Sequence, residues 1–283
     1  MTKTPLSATQ AFDLRQALHV AALEALMVSR RWAPGDLVFQ GGTSLHLAYG
    51  SPRLSEDLDF LVSSSLKLES IAEAVRQRLQ GSMQLPEGMD LTVTKARDGR
   101  NPHSFIVAIG GPSLIGAVRV KVELWKAERS VLESVGVTVT PVRVASSAAA
   151  GLQAFVPTAD LPEIYADKVF ALAARPYLKP RDVFDLHWLA RQHGLASLTA
   201  EDLRLRLATY PNESAAAWSD KALARRAELR DAAPMIAKDL QRWLPSSWPV
   251  DEDAARTMAN AAIAALEQGM AMMQMLRDER DAG

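Results

Sequence analysis

Residues 38–62 read V-F-Q-G-G-T-S-L-H-L-A-Y-G-S-P-R-L-S-E-D-L-D-F-L-V, and the order of residue types in this stretch decides the fold. A short apolar strand, Leu37 to Phe39, runs into Gly41-Gly42, where a backbone without Cβ can turn sharply and approach a ligand closely. Thr43-Ser44 then open a short helix. The opening of a helix presents unpaired N–H groups and the positive end of the dipole, which together make a seat for phosphate. After the break at Gly50-Ser51-Pro52, a second strand covers Leu58 to Val62 and carries Asp57 and Asp59. Side chains alternate along a strand, so the two aspartates share one face while Leu58 and Phe60 point to the other. Two neighbouring carboxylates repel each other unless a cation bridges them. Magnesium suits that task, because it prefers oxygen ligands and commonly combines one or two carboxylates with substrate phosphates.

Composition narrows the chemistry further. With 283 residues, 48% of them apolar, the chain can build one large domain or two ordinary ones around a sizeable core. No run approaches the roughly 18 apolar residues that a membrane span needs. Met1-Thr2-Lys3-Thr4-Pro5 lacks the basic-then-apolar form of a signal peptide, so a soluble cytoplasmic protein without a membrane partner is expected. The absence of cysteine excludes disulfides, thiolate metal sites and a cysteine nucleophile. Five scattered histidines, none spaced i, i+4, offer no zinc site. Any metal is therefore expected on oxygen ligands. A net charge of −1 argues against coating nucleic acid by bulk attraction but leaves room for a local basic channel.

Around the central stretch the periodicity predicts a mixed sheet with flanking helices. Residues 8–31 have apolar positions at helical spacing, ended by Pro34-Gly35, and residues 67–80 form a second amphipathic helix. Strands are expected over 89–95, 104–109, 117–125 and 135–144. In the third of these, Val118, Val120, Val122 and Leu124 fall on one face and Arg119, Lys121 and Glu123 on the other. That second face reads either as charges in water or as part of a site. Residues 146–150 are small and structureless in pattern, and beyond Pro157 the sequence shows no convincing strand. A domain boundary is expected between 150 and 160. Helices follow over 162–175, 181–193, 199–209, 214–232, 234–244 and 251–278.

The first two of these helices carry a second constellation. Lys168 falls among Leu161, Ile164, Tyr165 and Leu172 on the helical wheel, in the middle of the apolar arc. An ammonium placed toward a core needs an anion. It either snorkels to solvent or reaches into a cleft. Asp182 and Asp185 follow in L-K-P-R-D-V-F-D-L. Asp182 reads as an N-cap with Asp185 in the first turn, or both aspartates point inward to a site. Farther on, Lys221, Arg225, Arg226 and Arg230 make either a solvated helix face or a phosphate-tracking row. Met270, Met272, Met273 and Met275 make a soft apolar patch, suited to core packing or to an adaptable interface.

A strand, a Gly-Gly turn, a short helix and a strand with Asp-x-Asp resembles the DNA polymerase β-type nucleotidyltransferase superfamily. Within it, Gly41-Gly42-Thr43-Ser44-Leu45 followed by Arg53-x-Ser55-x-Asp57-x-Asp59 resembles the AbiEii-type toxins, the toxic half of type IV abortive-infection toxin–antitoxin pairs. The later A-D-K-x-x-A-L and R-D-x-x-D-L stretches are similar to that family's later motifs, in the same order. The resemblance spans residues 38–190.

It implies an α+β protein: a nucleotidyltransferase domain over 1–155, and a helical domain over 156–283 that completes the active-site cleft. It further implies NTP as substrate, two Mg²⁺ ions on Asp57 and Asp59 with Glu123 as third carboxylate, and phosphate contacts from Gly41, Gly42, Thr43, Ser44, Arg53 and Ser55. Lys168 would bind phosphate or offset transition-state charge, and Asp182 or Asp185 would aid catalysis or position the acceptor. The acceptor implied is RNA, at the tRNA 3′ end, with a cognate antitoxin as protein partner. Transfer to a small molecule, as in aminoglycoside nucleotidyltransferases, and a non-catalytic nucleotide-binding regulator are the alternatives.

Overall fold

A computed structural model of the chain describes residues 4–83, 85, 87–95, 101–112, 114–142, 144, 151–193, 195, 197–210 and 212–282. The expected structureless stretch 146–150 lies outside the described residues. The elements in chain order are β1 (Thr4–Pro5), α1 (Ala8–Val28), β2 (Leu37–Gln40), α2 (Gly41–Tyr49), β3 (Leu58–Ser63), α3 (Ile71–Leu79), β4 (Asp90–Lys95), β5 (His103–Gly110), β6 (Leu114–Ile115), β7 (Val118–Ala127), α4 (Arg129–Ser134), β8 (Val137–Val142) and β9 (Ala154–Ala159). Helices then follow without interruption: α5 (Leu161–Ala174), α6 (Pro180–Leu189), α7 (Ala200–Thr209), α8 (Ala215–Leu229), α9 (Ala233–Leu240) and α10 (Glu252–Ala282). The chain divides into two compact units, one of residues 1–50 and 55–159, the other of residues 51–54 and 160–283. None of the helices, among the described residues, is long and apolar enough to cross a membrane.

The first unit is built on a seven-stranded sheet in the order β4-β5-β7-β3-β2-β9-β8. The β3–β7 and β2–β9 pairs run parallel and the other neighbours antiparallel. This is the mixed sheet that the alternating patterns predict. One face of it supplies the core. Phe39 from β2, Leu58, Phe60 and Val62 from β3, Val120, Val122 and Leu124 from β7, and Phe105, Val107 and Ile109 from β5 are buried together with Leu18, Leu23 and Leu26 of α1 and Val75 and Leu79 of α3. Helix α1 begins at a complete capping box, in which the Ser7 hydroxyl accepts from the Gln10 backbone N–H and the Gln10 side chain accepts from that of Ser7. With the apolar side chains drawn to the α1/α3 face, the alternate positions of β3 and β7, among them Asp59, Lys121 and Glu123, are left on the other.

Three features depart from the sequence reading. Strand β9 is not signalled in the pattern, because Pro157 sits in its middle and removes a ladder donor. It nevertheless pairs with β8 along its whole length and reaches β2 through Phe39 and Thr158. The single strand expected over 135–144 is shortened to β8, with α4 ahead of it. The two-residue strands β1 and β6 pair in a small sheet of their own, too short to leave a periodic trace.

The second unit is helical. Trp218 of α8 is fully buried and donates through its indole N–H to the Phe170 carbonyl of α5 at 2.9 Å. Gly269 of α10 lies against that ring, where a Cβ would stand 2.6 Å from the Trp218 Cη2. The basic row on α8 is not one surface. Arg225 is buried and donates to the carbonyls of Leu172 and Arg175, whereas Lys221 and Arg226 pair with Glu213 and Glu267. The methionine patch divides likewise: Met273 is buried in the core and Met275 is exposed.

Candidate active site

The site in the first unit starts where β2 ends. Helix α2 begins at Gly41, two residues ahead of the expected start at Thr43, directly after Gln40 in extended conformation. Gly41 has φ 83°, a region that L side chains rarely adopt, and a Cβ there would lie 2.8 Å from the Asp59 Oδ2. The glycine thus lets the turn backbone close on the carboxylate of the neighbouring strand. Gly42, Thr43 and Ser44 are all buried. The Thr43 hydroxyl donates to the Asp57 carbonyl, and the Ser44 hydroxyl donates to the Gly41 carbonyl at 2.7 Å. Both hydroxyls therefore serve to hold the turn and its link to the Asp-x-Asp stretch. What the turn offers an anion is the row of N–H groups at the start of α2.

Gly41→Ala is expected to strain the backbone by roughly 1–2 kcal/mol and in addition to push Asp59 aside. The nucleotidyl transfer that the sequence resemblance implies should fall at least about a hundredfold while the fold persists, as read by activity against a thermal melt. Wild-type activity in a folded Gly41→Ala protein would show that the close approach is unimportant.

The carboxylates follow in register. Asp59 is the partner of Gln40 on one side and of Glu123 on the other, and Ser104 of β5 is the next position across. Asp57 precedes β3 by one residue, so it stands just outside the strand and on the side of Asp59. The pairing Leu58–Val122 places it beside Lys121. Glu123 accepts an ion pair from Lys121. Its hydrogen bond with Glu123 does most to hold the Lys121 ammonium above the ordinary lysine value; burial opposes the rise, and the charges of Glu123, Asp57 and Asp59 add to it.

Among the described residues no three His, Cys, Asp or Glu side chains are already gathered as a metal cage. The donor set of Asp57, Asp59 and Glu123 nevertheless suits a hard divalent cation by its chemistry. All three are oxygen donors: Asp59 and Glu123 are register partners on neighbouring strands, Asp57 precedes β3 by one residue, and Lys121 pairs with Glu123.

A support shell that the sequence reading missed lies behind Asp57. His19 of α1 is fully buried, with Nε2 3.0 Å from the Glu56 carbonyl. Since a carbonyl only accepts, Nε2 carries the hydrogen. Burial lowers the imidazole pKa to about 4, so the ring is neutral at physiological pH. Arg15 adds an ion pair to the Glu56 carboxylate at 3.0 Å. The available signal was a histidine in an otherwise apolar helix interior, which by itself reads as a core residue.

In the second unit, Arg53, Lys168, Asp182 and Asp185 form one buried charge network, to which the partly exposed Arg175 adds a cation. Arg53 donates through Nε and Nη2 to both oxygens of Asp185, at 2.6 and 2.8 Å, and through Nη1 to the Leu54 carbonyl. Lys168 stands 2.7 Å from Asp182 and 2.8 Å from Asp185, and Arg175 completes Asp182 at 2.6 Å. Lys168 therefore does not snorkel to solvent. Burial alone would push its ammonium down, but the two carboxylates outweigh it and hold the group above the ordinary lysine value. Burial would likewise raise Asp182 and Asp185; the neighbouring cations win, and both stay below the usual carboxylate range. Asp182 is not the N-cap of α6. That position belongs to Lys179, and Asp182 lies in the first turn. Ser55, where the chain re-enters the first unit, is half-buried.

Comparison with known proteins is consistent across two levels. The family model of the nucleotidyl transferase AbiEii toxin of type IV toxin–antitoxin systems matches residues 25–261. Among solved structures, JHP933 from Helicobacter pylori aligns with a TM-score of 0.50 at 18% identity, covering 98% of each chain. MenT4, a nucleotidyltransferase toxin from Mycobacterium tuberculosis H37Rv, aligns with a TM-score of 0.54 at 16% identity over 91% of this chain and 85% of its own. At such identities these likenesses concern the fold. No curated protein sequence matches the chain.

Proposed function

Since the chain belongs to the AbiEii nucleotidyltransferase toxin family of type IV toxin–antitoxin systems, we propose that it transfers a nucleoside monophosphate from an NTP to an RNA acceptor. The acceptor is the 3′ end of tRNA, and its modification blocks translation in the cytoplasm until a cognate antitoxin restrains the enzyme. In the reaction an acceptor hydroxyl oxygen forms a bond to the α-phosphorus and loses its proton to solvent, and the bond from that phosphorus to the pyrophosphate oxygen breaks. The observation that carries this reading is the joint construction of turn and carboxylates: Gly41 packs on Asp59, Thr43 holds the Asp57 carbonyl, and Glu123 is the register partner of Asp59.

Asp57, Asp59 and Glu123 would hold Mg²⁺, which supplies charge neutralisation for the attacking and leaving oxygens. The protein's own part is positioning and electrostatics. The N–H groups at the start of α2 orient the phosphates, while Gly41, Gly42, Thr43 and Ser44 fix that backbone. Arg53 and Ser55 frame the return of the chain to Asp57. Lys168, charged at any physiological pH, offsets negative charge as pyrophosphate leaves. Asp182 and Asp185, whose lowered basicity makes them poor proton acceptors, act by holding Lys168, Arg53 and Arg175. The roles in the second unit rest on the family resemblance together with this network.

Offering each of the four α-labelled NTPs with total tRNA tests the reading. Label is expected at the tRNA 3′ end with a preference among the four nucleotides, dependent on added Mg²⁺. Unlabelled RNA together with a labelled small-molecule acceptor would transfer the assignment to a small-molecule nucleotidyltransferase. NTP binding without any transfer would point to a regulator.

A further inference from the structure

We propose that Lys121 is a built-in counter-cation of the carboxylate site, occupying it while no metal is bound and competing with the divalent ion for Glu123. The inference rests on the reading of Asp57, Asp59 and Glu123 as metal ligands, and three observations lead to it. Lys121 and Glu123 lie two residues apart on β7 and form an ion pair on the face away from the core. Glu123 is paired in register with Asp59, and one step along the same two strands Asp57 stands beside Lys121. Lys121 thus shares one patch of sheet with all three carboxylates.

Stability alone gives a poor account of this lysine. Its side chain is 44% exposed, and an ion pair that open to solvent contributes little to stability. Electrostatics gives a better one. Carboxylates on directly opposed strand positions repel, and the ammonium relieves that repulsion within the protein itself. An arriving divalent cation must release Glu123 from Lys121 and then bind beside a positive charge. Both steps weaken its hold. Removing the ammonium frees Glu123 and deepens the local negative potential, so the site should take a divalent ion more tightly while the metal-free protein becomes less stable. Arginine at the same position keeps the charge and can keep the pair. The device makes occupancy of the site depend on metal concentration, or on phosphates that bring the ion with them, rather than leaving it permanently filled.

The test is a titration of the full-length protein with Mn²⁺, following free Mn²⁺ by electron paramagnetic resonance, for wild type, Lys121→Met, Lys121→Gln, Lys121→Arg and the Asp57→Ala/Asp59→Ala pair. Thermal melts with and without Mn²⁺ accompany it. Lys121→Met and Lys121→Gln are expected to bind Mn²⁺ at least about fivefold more tightly than wild type and to gain more in melting temperature on adding it. Lys121→Arg should stay within about twofold of wild type. Unchanged or weaker binding in both neutral variants, with wild-type binding abolished by the Asp57→Ala/Asp59→Ala change, would overturn the role of Lys121 and leave the metal site standing. Absence of specific binding in wild type and in the neutral variants alike would overturn both.

Discussion

Replacing Asp57 and Asp59 together by alanine is expected to abolish the proposed NTP-dependent labelling of tRNA, by more than about a thousandfold, and with it growth inhibition on expression in a bacterial host. The size follows from what the two groups are asked to do. Removing a single preorganised electrostatic contact typically costs a factor of 10²–10³. Here the change removes two of three proposed oxygen ligands, and with them the metal. The loss should come without unfolding. Asp57 is exposed and Asp59 half-buried, and neither belongs to the core formed by Leu58, Phe60 and Val62 with α1 and α3. Taking away two like charges next to Glu123 relieves repulsion but also removes their attraction to Lys121, so the melting temperature should change little. Asp59→Asn alone, which keeps the shape against Gly41, should lose nearly as much activity, separating charge from packing. A double variant as toxic as wild type would refute the catalytic role of the pair.

The first unit was legible because its chemistry and its periodicity coincide. Leu58, Phe60 and the valines of β7 alternate with polar residues, which sets the face that Asp59 and Glu123 share. The Gly-Gly turn was legible for its conformational demand, although only the structure shows that Gly41 answers to Asp59. What escaped the sequence depends on partners distant along the chain. Pro157 hides β9 until β8 is there to pair with it. His19 looks like a core residue until the Glu56 carbonyl meets it. Arg225 looks like surface until the carbonyls of Leu172 and Arg175 claim it. Arg53 was visible as a motif residue, but its carboxylate partner lies 132 positions away, and periodicity does not encode a pairing at that distance.

That pairing supports the second large effect. Asp185→Ala is expected to destabilise the second unit by roughly 3–5 kcal/mol, the range for removing one partner of a buried ion pair. Asp185 is 0% exposed and Arg53 is 2% exposed, so the guanidinium left behind would keep the Leu54 carbonyl as a partner and lose both carboxylate oxygens. Lys168 would retain Asp182, which places most of the damage at Arg53. Arg53→Ala/Asp185→Ala should then be less destabilising than the sum of the two single changes, since the double change leaves no orphaned charge.

Acid should expose the same network. Asp182 and Asp185 are held below the unfolded carboxylate pKa of about 3.9. Their contribution is therefore fully present above that value and is lost only as pH falls through their lower folded values. Urea denaturation should show a stability in wild type that their titration leaves unchanged near neutral pH and that declines below about pH 4, with a shallower acid decline in Asp185→Ala. A change of less than about 0.5 kcal/mol in Asp185→Ala, or a double variant as unstable as the summed singles, would mean that the buried pair is not what anchors residues 51–54 in the helical unit.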